Sequence, residues 1–499
     1  MNLINELITD SKSICIKDGK DKLTYEQVKK YCLSIASGLQ NDLEIKPGDR
    51  AVIIANNSLE FIISYLAILA CGAIAVPLDP FSNESELARD IALVRPKLVL
   101  TSSIEKVPGA YKETLTCIEF NSHAWRSYKK LDQTEIVDRK DSDIAVMFMT
   151  SSSSFGSRPA MLTHKSISSN IHQAQKIPNL NLNEKDIVLA VMPMNHVFGL
   201  NVVCSLAMAC GSQLVVVRSF DAFELSKIIY SNEITIVPGV PALYSAFVDN
   251  FNITIDSFSK VRLFLSAGAP LRNEIREKFY ERFGFSIAEG YGLTEASPMI
   301  SFTSSPKSEG DIGEVLDGIE IEIRDASGSA SIDGDIGEIV IRGDNVFAGY
   351  FGEVDATNAA LDPNGWLYTG DVGVKDQEGN ITLIDRTSDV IVVSGFSVYP
   401  SEVESVLLEH GMVDQVSVVG ASSDETGEVV VAYISSNAIS KDSDPKDKRE
   451  LEKVLRDFCG EKIARYKIPS KFIFDGDLTI NASSRPLRKS LRSAISNIE

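Results

Sequence analysis

The sequence has few cysteines and none of the cysteine patterns of a disulfide-rich protein. Its 499 residues include seven cysteines. No two of them form a Cys-x-x-Cys pair, and most lie in apolar runs, where cysteine behaves as a small hydrophobic residue. The first residues, MNLINELITDSKS, also lack the cationic start and apolar stretch of a signal peptide. We therefore expect a cytoplasmic protein with reduced thiols.

Long apolar runs are lacking as well. The longest run, residues 61–76, contains Ser64, Tyr65 and Gly72 and stops at Pro77. A membrane-spanning helix needs about 20 consecutive apolar residues. The run therefore predicts a buried helix followed by a strand, and we expect no membrane span.

Positive charge is scarce. Lysine and arginine number 49 against 69 aspartate and glutamate, which gives a formal net charge of -20. Such a chain repels nucleic acid and anionic membrane surfaces, so we expect neither as a partner. The composition, with 44% hydrophobic and 24% charged residues, is that of an ordinary globular protein. The length fits roughly three structural units of about 150 residues each.

The patterns that are present indicate an α/β fold. From about residue 140, β-branched runs alternate with helical patterns, which is typical of parallel sheets covered by helices. After about Asp325, short strands and turns indicate a β-rich subdomain. From about Thr387 the pattern predicts a helix, two strands, a helix and a strand. We predict a large N-terminal domain of helix-covered sheets plus the β-rich subdomain over residues 1–386, and a small, mobile α+β C-terminal domain over residues 387–499.

Ligands of such sheets bind beyond the carboxyl ends of the strands. These ends are followed by TSSSSFGS, PMNHVFG, PGVP, SAGAP and EGYGLTE. In the first segment, a run of hydroxyls from Thr150 and the cation of Arg158 can bind a phosphate. The alternative is a polar turn between strand and helix, in which Thr163 or Ser166 caps the helix. His196 is the one histidine of five in a strand-end loop, where a purely structural histidine is the alternative.

Three later segments carry further polar candidates. In EGYGLTE, glycines beside Tyr291 allow a flat ligand to approach closely, and Glu295 offers a carboxylate to Mg²⁺; the alternative is a glycine-rich turn. Asp371 can accept the hydroxyls of a ribose, and Arg386 can contact the same sugar or a phosphate; the alternatives are a turn-capping aspartate and a surface arginine. Near the end, Arg485 lies before a helix, where a solvated basic terminus is the default.

Taken in order, these motifs resemble those of the adenylate-forming superfamily, which includes acyl-CoA and aryl-CoA synthetases, adenylation domains of peptide synthetases and luciferases. The resemblance covers nearly the whole chain. The matching segments are LTYEQV, KPGDRAVIIANNS, AILACGAIAVPLDP, PMNHVFGL, SAGAPL, EGYGLTE, GWLYTGD, LIDR and SGFSVYPSEVE. Such enzymes join a carboxylate to ATP to give an acyl-adenylate and pyrophosphate, commonly rotate the C-terminal domain, and then pass the acyl group to a thiol. The resemblance thus implies ATP, Mg²⁺ and a CoA or phosphopantetheine thiol.

The resemblance also implies a role for each candidate residue. The phosphate loop would comprise Thr150, Ser151, Ser152, Ser153, Ser154 and Arg158. The adenine pocket would comprise Gly268, Ala269, Pro270, Glu289, Gly290, Tyr291 and Gly292. Asp371 and Arg386 would hold the ribose and α-phosphate region, and Gly395 would line the pantetheine tunnel. The catalytic residues would be His196, Thr294, Glu295 and Arg485, with Glu295 also binding the metal.

The substrate implied by the resemblance is a small carboxylic acid. Members that activate amino acids have an aspartate in the loop that here reads PMNHVFG, and His196 stands at the position usual for acyl and aryl acids. An α-amino acid is therefore not expected. An acyl carrier protein would be a partner if the accepting thiol is a carried phosphopantetheine.

Two segments depart from the family pattern. The phosphate loop usually reads TSGTTGxPKG, but here it reads TSSSSFGSRP, with Arg158 in place of lysine and Pro159 in place of glycine. A non-glycine residue at left-handed dihedrals costs about 1–2 kcal/mol, and proline has no N–H to donate, so we expect a loop of altered shape. The usual C-terminal SGK becomes Ser483, Ser484 and Arg485. Arginine keeps the charge but is longer and forked.

These departures leave two hypotheses. In the first, the protein is a working ATP-dependent carboxylate ligase that uses Arg158 and Arg485 where relatives use lysines. In the second, it no longer adenylates, and binds an acyl-AMP, acyl thioester or AMP-like ligand as a pseudoenzyme or as a catalyst of the transfer step alone. We favour the first because Glu295, Asp371 and Arg386 are present. An unrelated α/β nucleotide-binding protein does not explain the order of the motifs.

Overall fold

The computed structural model describes residues 2–152, 156–218, 220–325, 327–394, 396–423, 426–436, 439, 443–474 and 491. The chain divides into two compact units. One comprises Met1–Ile321 and Ile341–Thr369, and the other comprises Glu322–Val340 and Gly370–Glu499. The predicted domain boundary between Arg386 and Thr387 stays a prediction.

The first unit contains most of the helices. They are α1 (Ile4–Leu7), α2 (Tyr25–Asn41), α3 (Leu59–Ala70), α4 (Glu84–Val94), α5 (Gly109–Lys112), α6 (His123–Tyr128), α7 (His164–Gln175), α8 (Leu206–Ala209), α9 (Ala222–Ser231), α10 (Pro241–Asp249), α11 (Asn273–Phe283) and α12 (Val354–Ala360). A π-helix, Phe198–Ser205, leads directly into α8. The predicted buried helix and strand of residues 61–76 are confirmed as α3 and the strand that follows it.

The same unit contains the strands of two sheets. They are β1 (Ile14–Asp18), β2 (Asp21–Thr24), β3 (Arg50–Ile54), β4 (Ile74–Leu78), β5 (Leu98–Thr101), β6 (Thr116–Glu119), β7 (Ile144–Ser152), β8 (Gly156–Thr163), β9 (Ile187–Ala190), β10 (Gln213–Val216), β11 (Ile236–Gly239), β12 (Leu263–Ala267), β13 (Ile287–Gly292), β14 (Met299–Thr303) and β15 (Glu314–Val315).

Both sheets are mainly parallel, as the alternating pattern predicts. Within the described residues, one sheet has nine strands in the order β15-β14-β13-β12-β11-β9-β10-β1-β2, and the other has six in the order β6-β5-β3-β4-β7-β8. The neighbours β13, β12, β11, β9, β10 and β1 run parallel. Their carboxyl ends therefore lie along one edge of the nine-stranded sheet. Four of the five predicted functional segments lie at these ends, whereas TSSSSFGS begins in β7 of the six-stranded sheet.

Local sequence signals explain several helix boundaries. α2 and α4 each begin at a capping box, Thr24 with Gln27 and Asn83 with Glu86, in which the cap and the third residue satisfy each other's backbone N–H groups. α11 ends at Gly284, whose φ of +74° favours glycine. These contacts fix where helices start and stop beside the sheets.

An aromatic cluster fills the core beneath α10 and α11. Its members are fully buried and meet mostly edge to face, with the Phe264 and Phe279 ring centroids 5.0 Å apart. Each such pair contributes about 0.5–1.5 kcal/mol beyond the burial of its area. The residues are Tyr244, Phe247, Phe258, Phe264, Phe279 and Phe283. The cluster holds both helices against β12, whose end carries the SAGAP segment.

The second unit is rich in short strands. Strands β16 (Ile319–Arg324), β17 (Ile336–Gly343) and β18 (Leu367–Lys375) lie partly in this unit, since three residues of each belong to the first unit. The other strands are β19 (Ile381–Arg386), β20 (Ile391–Val393), β21 (Phe396–Val398), β22 (Gln415–Ser423), β23 (Gly427–Ser435) and β24 (Lys471–Phe474), and the helices are α13 (Pro400–Leu408) and α14 (Pro445–Gly460). The predicted helix, two strands, helix and strand after Thr387 are confirmed as α13, β22, β23, α14 and β24. The hairpin β20–β21 was not predicted.

The strands of the second unit form two sheets in the described part of the chain. Strands β16 to β19 follow one another in a four-stranded sheet, and β20 to β24 form a five-stranded sheet in which β24 pairs with β23. Val403, Leu407, Leu451 and Leu455 bring α13 and α14 into the core of the second sheet. Every helix in the described ranges is too short or too polar to cross a bilayer.

Candidate active site

Three predicted loops meet at the carboxyl edge of the nine-stranded sheet. In the register of β11, β12 and β13, Gly239 pairs with Ser266, and Ala267 pairs with Gly290. Gly268, Ala269 and Pro270 follow directly after β12, and Gly290, Tyr291 and Gly292 form the end of β13. The segments predicted to hold adenine therefore lie side by side.

Gly292 is required by close backbone packing. A Cβ at this position would lie 1.9 Å from the carbonyl oxygen of Pro298. That distance is far inside van der Waals contact, so any side chain would push β13 away from the segment after Glu295. The glycine thus keeps the end of β13 tight against the neighbouring turn.

Glu289 is engaged in the protein. Its carboxylate accepts hydrogen bonds from the Leu271 backbone N–H at 3.1 Å and from the Arg276 guanidinium. Burial raises the pKa of this carboxyl, and the arginine opposes the shift. Both carboxylate oxygens therefore have partners, Leu271 and Arg276, that tie β13 to the start of α11.

Glu295 lies in a short 3-10 turn, Thr294–Ala296, just beyond β13. Its side chain is half-buried, and its carboxylate accepts a hydrogen bond of 2.7 Å from the Tyr350 hydroxyl. The backbone of Glu295 also accepts from the Phe347 N–H at 2.9 Å. Sequence analysis missed Tyr350. The only local signal is the glycine before it, Gly349, whose φ of +114° marks a turn.

The predicted phosphate loop is the tip of a β-hairpin. The sequence pattern predicted that the strand would lead directly into a helix. Instead, β8 follows β7 and pairs with it antiparallel before α7 begins. Thr150 donates from its hydroxyl to the Arg158 carbonyl at 3.2 Å across the hairpin, and the Arg158 guanidinium lies 5.8 Å from the centre of the Tyr350 ring. Thr163 caps α7 by accepting from the Ser166 N–H, so that part of the alternative interpretation is confirmed.

A second arginine, also missed from the sequence, contacts this hairpin at the start of β8. Arg89 on α4 donates to the Ser157 hydroxyl at 3.1 Å and to Asp90 at 3.3 Å. Its side chain is 48% exposed, so the guanidinium is accessible to solvent. Arg89 and Arg158 together place two positive charges at the hairpin of an otherwise acidic chain.

His196 lies in the loop after β9. The residue is exposed, and desolvation by the protein atoms around the ring lowers its pKa. The imidazole is therefore neutral at pH 7. Asn57 holds this loop: its side-chain amide donates to the Ala190 and Met192 carbonyls at 3.1 and 2.8 Å, and its oxygen accepts from the Met194 N–H at 2.9 Å.

Asp371 and Arg386 form a pair within the second unit. They lie opposite each other in the register of β18 and β19, and the guanidinium Nε lies 3.0 Å from an Asp371 oxygen. Asp371 is buried while the Arg386 side chain is 51% exposed. The two residues predicted to contact the ribose are thus brought together, with the arginine at the surface.

Several predicted residues cannot be located at side-chain level. Ser153, Ser154, Gly395 and Arg485 lie outside the described residues, and Ser151 and Ser152 are described only as the end of β7. Their roles stay predictions.

The donor set at Glu295 fits a magnesium ion shared with phosphates. Within the described ranges, no three His, Cys, Asp or Glu side chains are grouped closely enough to hold a metal by themselves. Mg²⁺ at nucleotide sites is held by one or two carboxylates, waters and the phosphate oxygens. Glu295 with the neighbouring Thr294 hydroxyl offers that kind of partial set.

Comparisons with known proteins cover nearly the whole chain. A model described as AMP-binding enzyme matches residues 9–351, and one described as AMP-binding enzyme C-terminal domain matches residues 402–485. Among curated relatives, 4-coumarate–CoA ligase CCL1 of Humulus lupulus is 29% identical over 498 residues, which cover 95% of this chain and 89% of the relative. 4-Coumarate–CoA ligase 1 of Petroselinum crispum is 28% identical, with coverage of 97% and 91%.

Solved structures share the fold. ATP-bound MatB from Rhodopseudomonas palustris superposes with a TM-score of 0.91 at 24% identity and covers 100% of this chain and 99% of its own. o-Succinylbenzoate CoA synthetase (MenE) from Bacillus subtilis, in complex with the acyl-adenylate intermediate OSB-AMP, gives a TM-score of 0.83 at 26% identity, with 98% of each chain covered. The predicted α/β fold with a smaller C-terminal part is thereby confirmed.

Proposed function

The chain belongs to the AMP-binding enzyme family, whose model matches residues 9–351, and we propose that it is an AMP-forming acid–thiol ligase. It would join a small carboxylic acid to ATP and pass the acyl group to a thiol. The observation that carries this proposal is the contact of Tyr350 with both Glu295 and the Arg158 side chain. This contact brings the carboxylate suited to Mg²⁺ next to the hairpin predicted to hold the phosphates.

The first proposed step is an in-line displacement at phosphorus. A carboxylate oxygen of the acid attacks the α-phosphorus and forms the new P–O bond, while the bond from the α-phosphorus to the bridging oxygen breaks and pyrophosphate leaves with its electron pair. Such a step needs positioning and charge neutralisation more than covalent help. Arg158 would neutralise the leaving phosphates, and Glu295 with Thr294 would hold Mg²⁺, which supplies further positive charge when bound.

The second proposed step is acyl transfer. The thiol sulfur attacks the acyl carbon, AMP leaves with the electron pair of the acyl–oxygen bond, and the thiol proton passes to solvent. We assign Asp371 and Arg386 to the ribose and α-phosphate region, Gly268 to Pro270 and Glu289 to Gly292 to adenine, and Gly395 to the pantetheine path. Arg485 would contact the substrate carboxylate and α-phosphate during the first step.

The acid is proposed to be small and without an α-amino group. His196 is neutral because desolvation lowers its pKa, so it can hydrogen-bond to an acyl or aryl acid but cannot pair with an ammonium group as an aspartate can. The relatives are named for 4-coumarate and o-succinylbenzoate, and CoA is their named thiol. We therefore propose CoA as the acceptor ahead of a carrier-protein phosphopantetheine. The seven unpaired cysteines support the proposal of a cytoplasmic location.

The alternative, a homologue that binds acyl-AMP without making it, is not favoured, because the curated relatives across nearly the full chain are named ligases. The deciding experiment measures pyrophosphate release from MgATP with 4-coumarate, o-succinylbenzoate, benzoate and anthranilate, with an α-amino acid as the comparison. We expect release with at least one acid, and CoA-dependent formation of its thioester. Absence of turnover with every acid, together with tight binding of a non-hydrolysable acyl-adenylate mimic, would reject the proposal.

The arginine at the C-terminal position has its own test. In the ligase hypothesis Arg485 is adapted to its site, so Arg485→Lys should not raise the rate of pyrophosphate release. A large gain in Arg485→Lys, absent from the matched variant Arg488→Lys, would mean that the natural protein is impaired in adenylation.

A further inference from the structure

We propose that Tyr350 is a positioning residue for the metal: its phenol holds the Glu295 carboxylate so that one oxygen stays available to the Mg²⁺ of bound MgATP. This inference rests on the proposed function. It concerns a residue outside the motifs that sequence analysis singled out.

The hydrogen bond itself is short and directed. The Tyr350 hydroxyl donates to Oε1 of Glu295 at 2.7 Å. In the part of the chain that the structure describes, no second donor reaches this carboxylate. Hydrogen bonds to ionised acceptors are about twice as strong as neutral ones, so the phenol fixes one oxygen, and no described residue bonds to the other, Oε2.

The segment that carries Tyr350 is itself fixed to the hairpin. Residues 348–351 lie along β8: the Met161 N–H donates to the Gly349 carbonyl, the Ala348 N–H to the Met161 carbonyl, and the Phe351 N–H to the Pro159 carbonyl, at 2.8 to 2.9 Å. Tyr350 also forms a bridge with Ala160. The phenol can therefore move only together with the strand that bears Arg158.

The other side of the segment is anchored by α12. The Thr357 hydroxyl accepts from the Tyr350 backbone N–H at 2.9 Å and donates to the Glu353 carbonyl at 2.8 Å. The Tyr350 ring packs edge to face on Phe347, with 4.9 Å between centroids. Backbone and ring are thus both held, as expected of a side chain whose task is to orient another.

Burial raises the pKa of the Tyr350 phenol far above its usual value of 10, and the adjacent Glu295 charge raises it further, while Arg158 opposes the shift. The phenol is therefore protonated at neutral pH and can donate a hydrogen bond.

A purely structural role would give a different result. Tyr244 provides the comparison, because its phenol is fully buried and donates to the Val237 and Leu265 carbonyls at 3.0 and 2.9 Å. Tyr244→Phe removes buried hydrogen bonds that do not involve Glu295. If Tyr350 only supports packing, Tyr350→Phe and Tyr244→Phe should resemble each other in every assay.

The experiment measures nucleotide binding by calorimetry, with a non-hydrolysable ATP analogue in Mg²⁺ or in EDTA, and with AMP. For Tyr350→Phe we expect the Kd of the magnesium complex to rise by about tenfold, which is about 1.4 kcal/mol, while the Kd values in EDTA and for AMP stay unchanged. Tyr244→Phe should lower thermal stability without altering the gain in affinity that Mg²⁺ brings. In a Glu295→Gln background, Tyr350→Phe should add no further loss, because the two side chains act as one unit.

The outcomes separate this inference from the proposed function. If the wild type binds neither ATP analogue nor AMP, the proposed function fails and the inference fails with it. If the wild type gains affinity from Mg²⁺ and Tyr350→Phe keeps the full gain, the role of Tyr350 is refuted while the ligase proposal stands. If Tyr350→Phe loses AMP affinity as well, the phenol serves the fold of the site and not the metal. If Tyr350→Phe does not fold, Thr357→Val provides the test, because it loosens the same segment. It should reduce the gain in nucleotide affinity that Mg²⁺ brings.

Discussion

Replacing Asn57 with alanine should release the loop that carries His196. Asn57 is 5% exposed, and its amide makes three hydrogen bonds to the backbone of residues 190–194. A buried hydrogen bond contributes about 1 kcal/mol net, and an unpaired buried group costs more. The three bonds together predict a loss of about 3 kcal/mol in the free energy of unfolding.

The loss should also be local, because the three bonds end on one loop. Hydrogen exchange followed by mass spectrometry should show faster exchange in residues 191–198 of Asn57→Ala, with little change in the aromatic cluster beneath α10. In a working ligase, the KM for the acid should rise more than the KM for ATP. Asn57→Asp is the stricter variant, since it keeps the size of the side chain but turns a carboxylate toward two carbonyl oxygens, and it should be at least as destabilising.

The role of Asn57 would be contradicted if Asn57→Ala lost about 3 kcal/mol in its free energy of unfolding and yet exchanged hydrogen in residues 191–198 at the wild-type rate. That result would mean that other contacts hold the loop. Ser58→Ala, one residue away, removes the hydroxyl that caps α3 by accepting from Phe61. It controls for general damage at this helix start, and should leave exchange in the loop unchanged.

Two further results are expected. Burial lowers the pKa of His164 from 6.5 to about 4. Between these two pH values the unfolded chain binds a proton that the folded chain does not. The free energy of unfolding should therefore fall by about 3 kcal/mol as the pH drops from about 6.5 to about 4. His164→Asn should flatten this limb of the pH profile in denaturant titrations, whereas a change at the exposed His123 should not. Arg276→Met removes the charged partner of the buried Glu289 carboxylate, which keeps only its bond from the Leu271 N–H, and should destabilise the protein by about 3 kcal/mol. The added change Glu289→Gln should restore part of the loss, and no restoration would contradict the pairing.

The fold was largely predictable because its signals are local. The buried helix α3 and the strand β4 follow from one apolar run, and the elements after Thr387 follow from short periodic segments. Parallel strands bring their carboxyl ends to one edge whatever the details of packing, so the placement of Gly268 beside Gly290 also follows from the order of the motifs.

The contacts that orient the site were not predictable, because they join distant parts of the chain. Tyr350 meets Glu295 across 55 residues, and Asn57 meets Ala190 across 133. No pattern within a window of sequence marks either residue. The hairpin β7–β8 was missed for a related reason: Pro159 looked like a loop residue, yet it lies in β8 and offers its carbonyl to Phe351.

The π-helix Phe198–Ser205 affects how the segment after His196 can change over evolution. Each hydrogen-bonded turn of a π-helix encloses one residue more than a turn of α-helix. Deleting one residue there would let the segment tighten into α-helix and continue into α8, whereas the same deletion in α3 would rotate every following side chain away from the core. The helical segment that follows His196 can therefore lose one residue while the neighbouring sheet keeps its register.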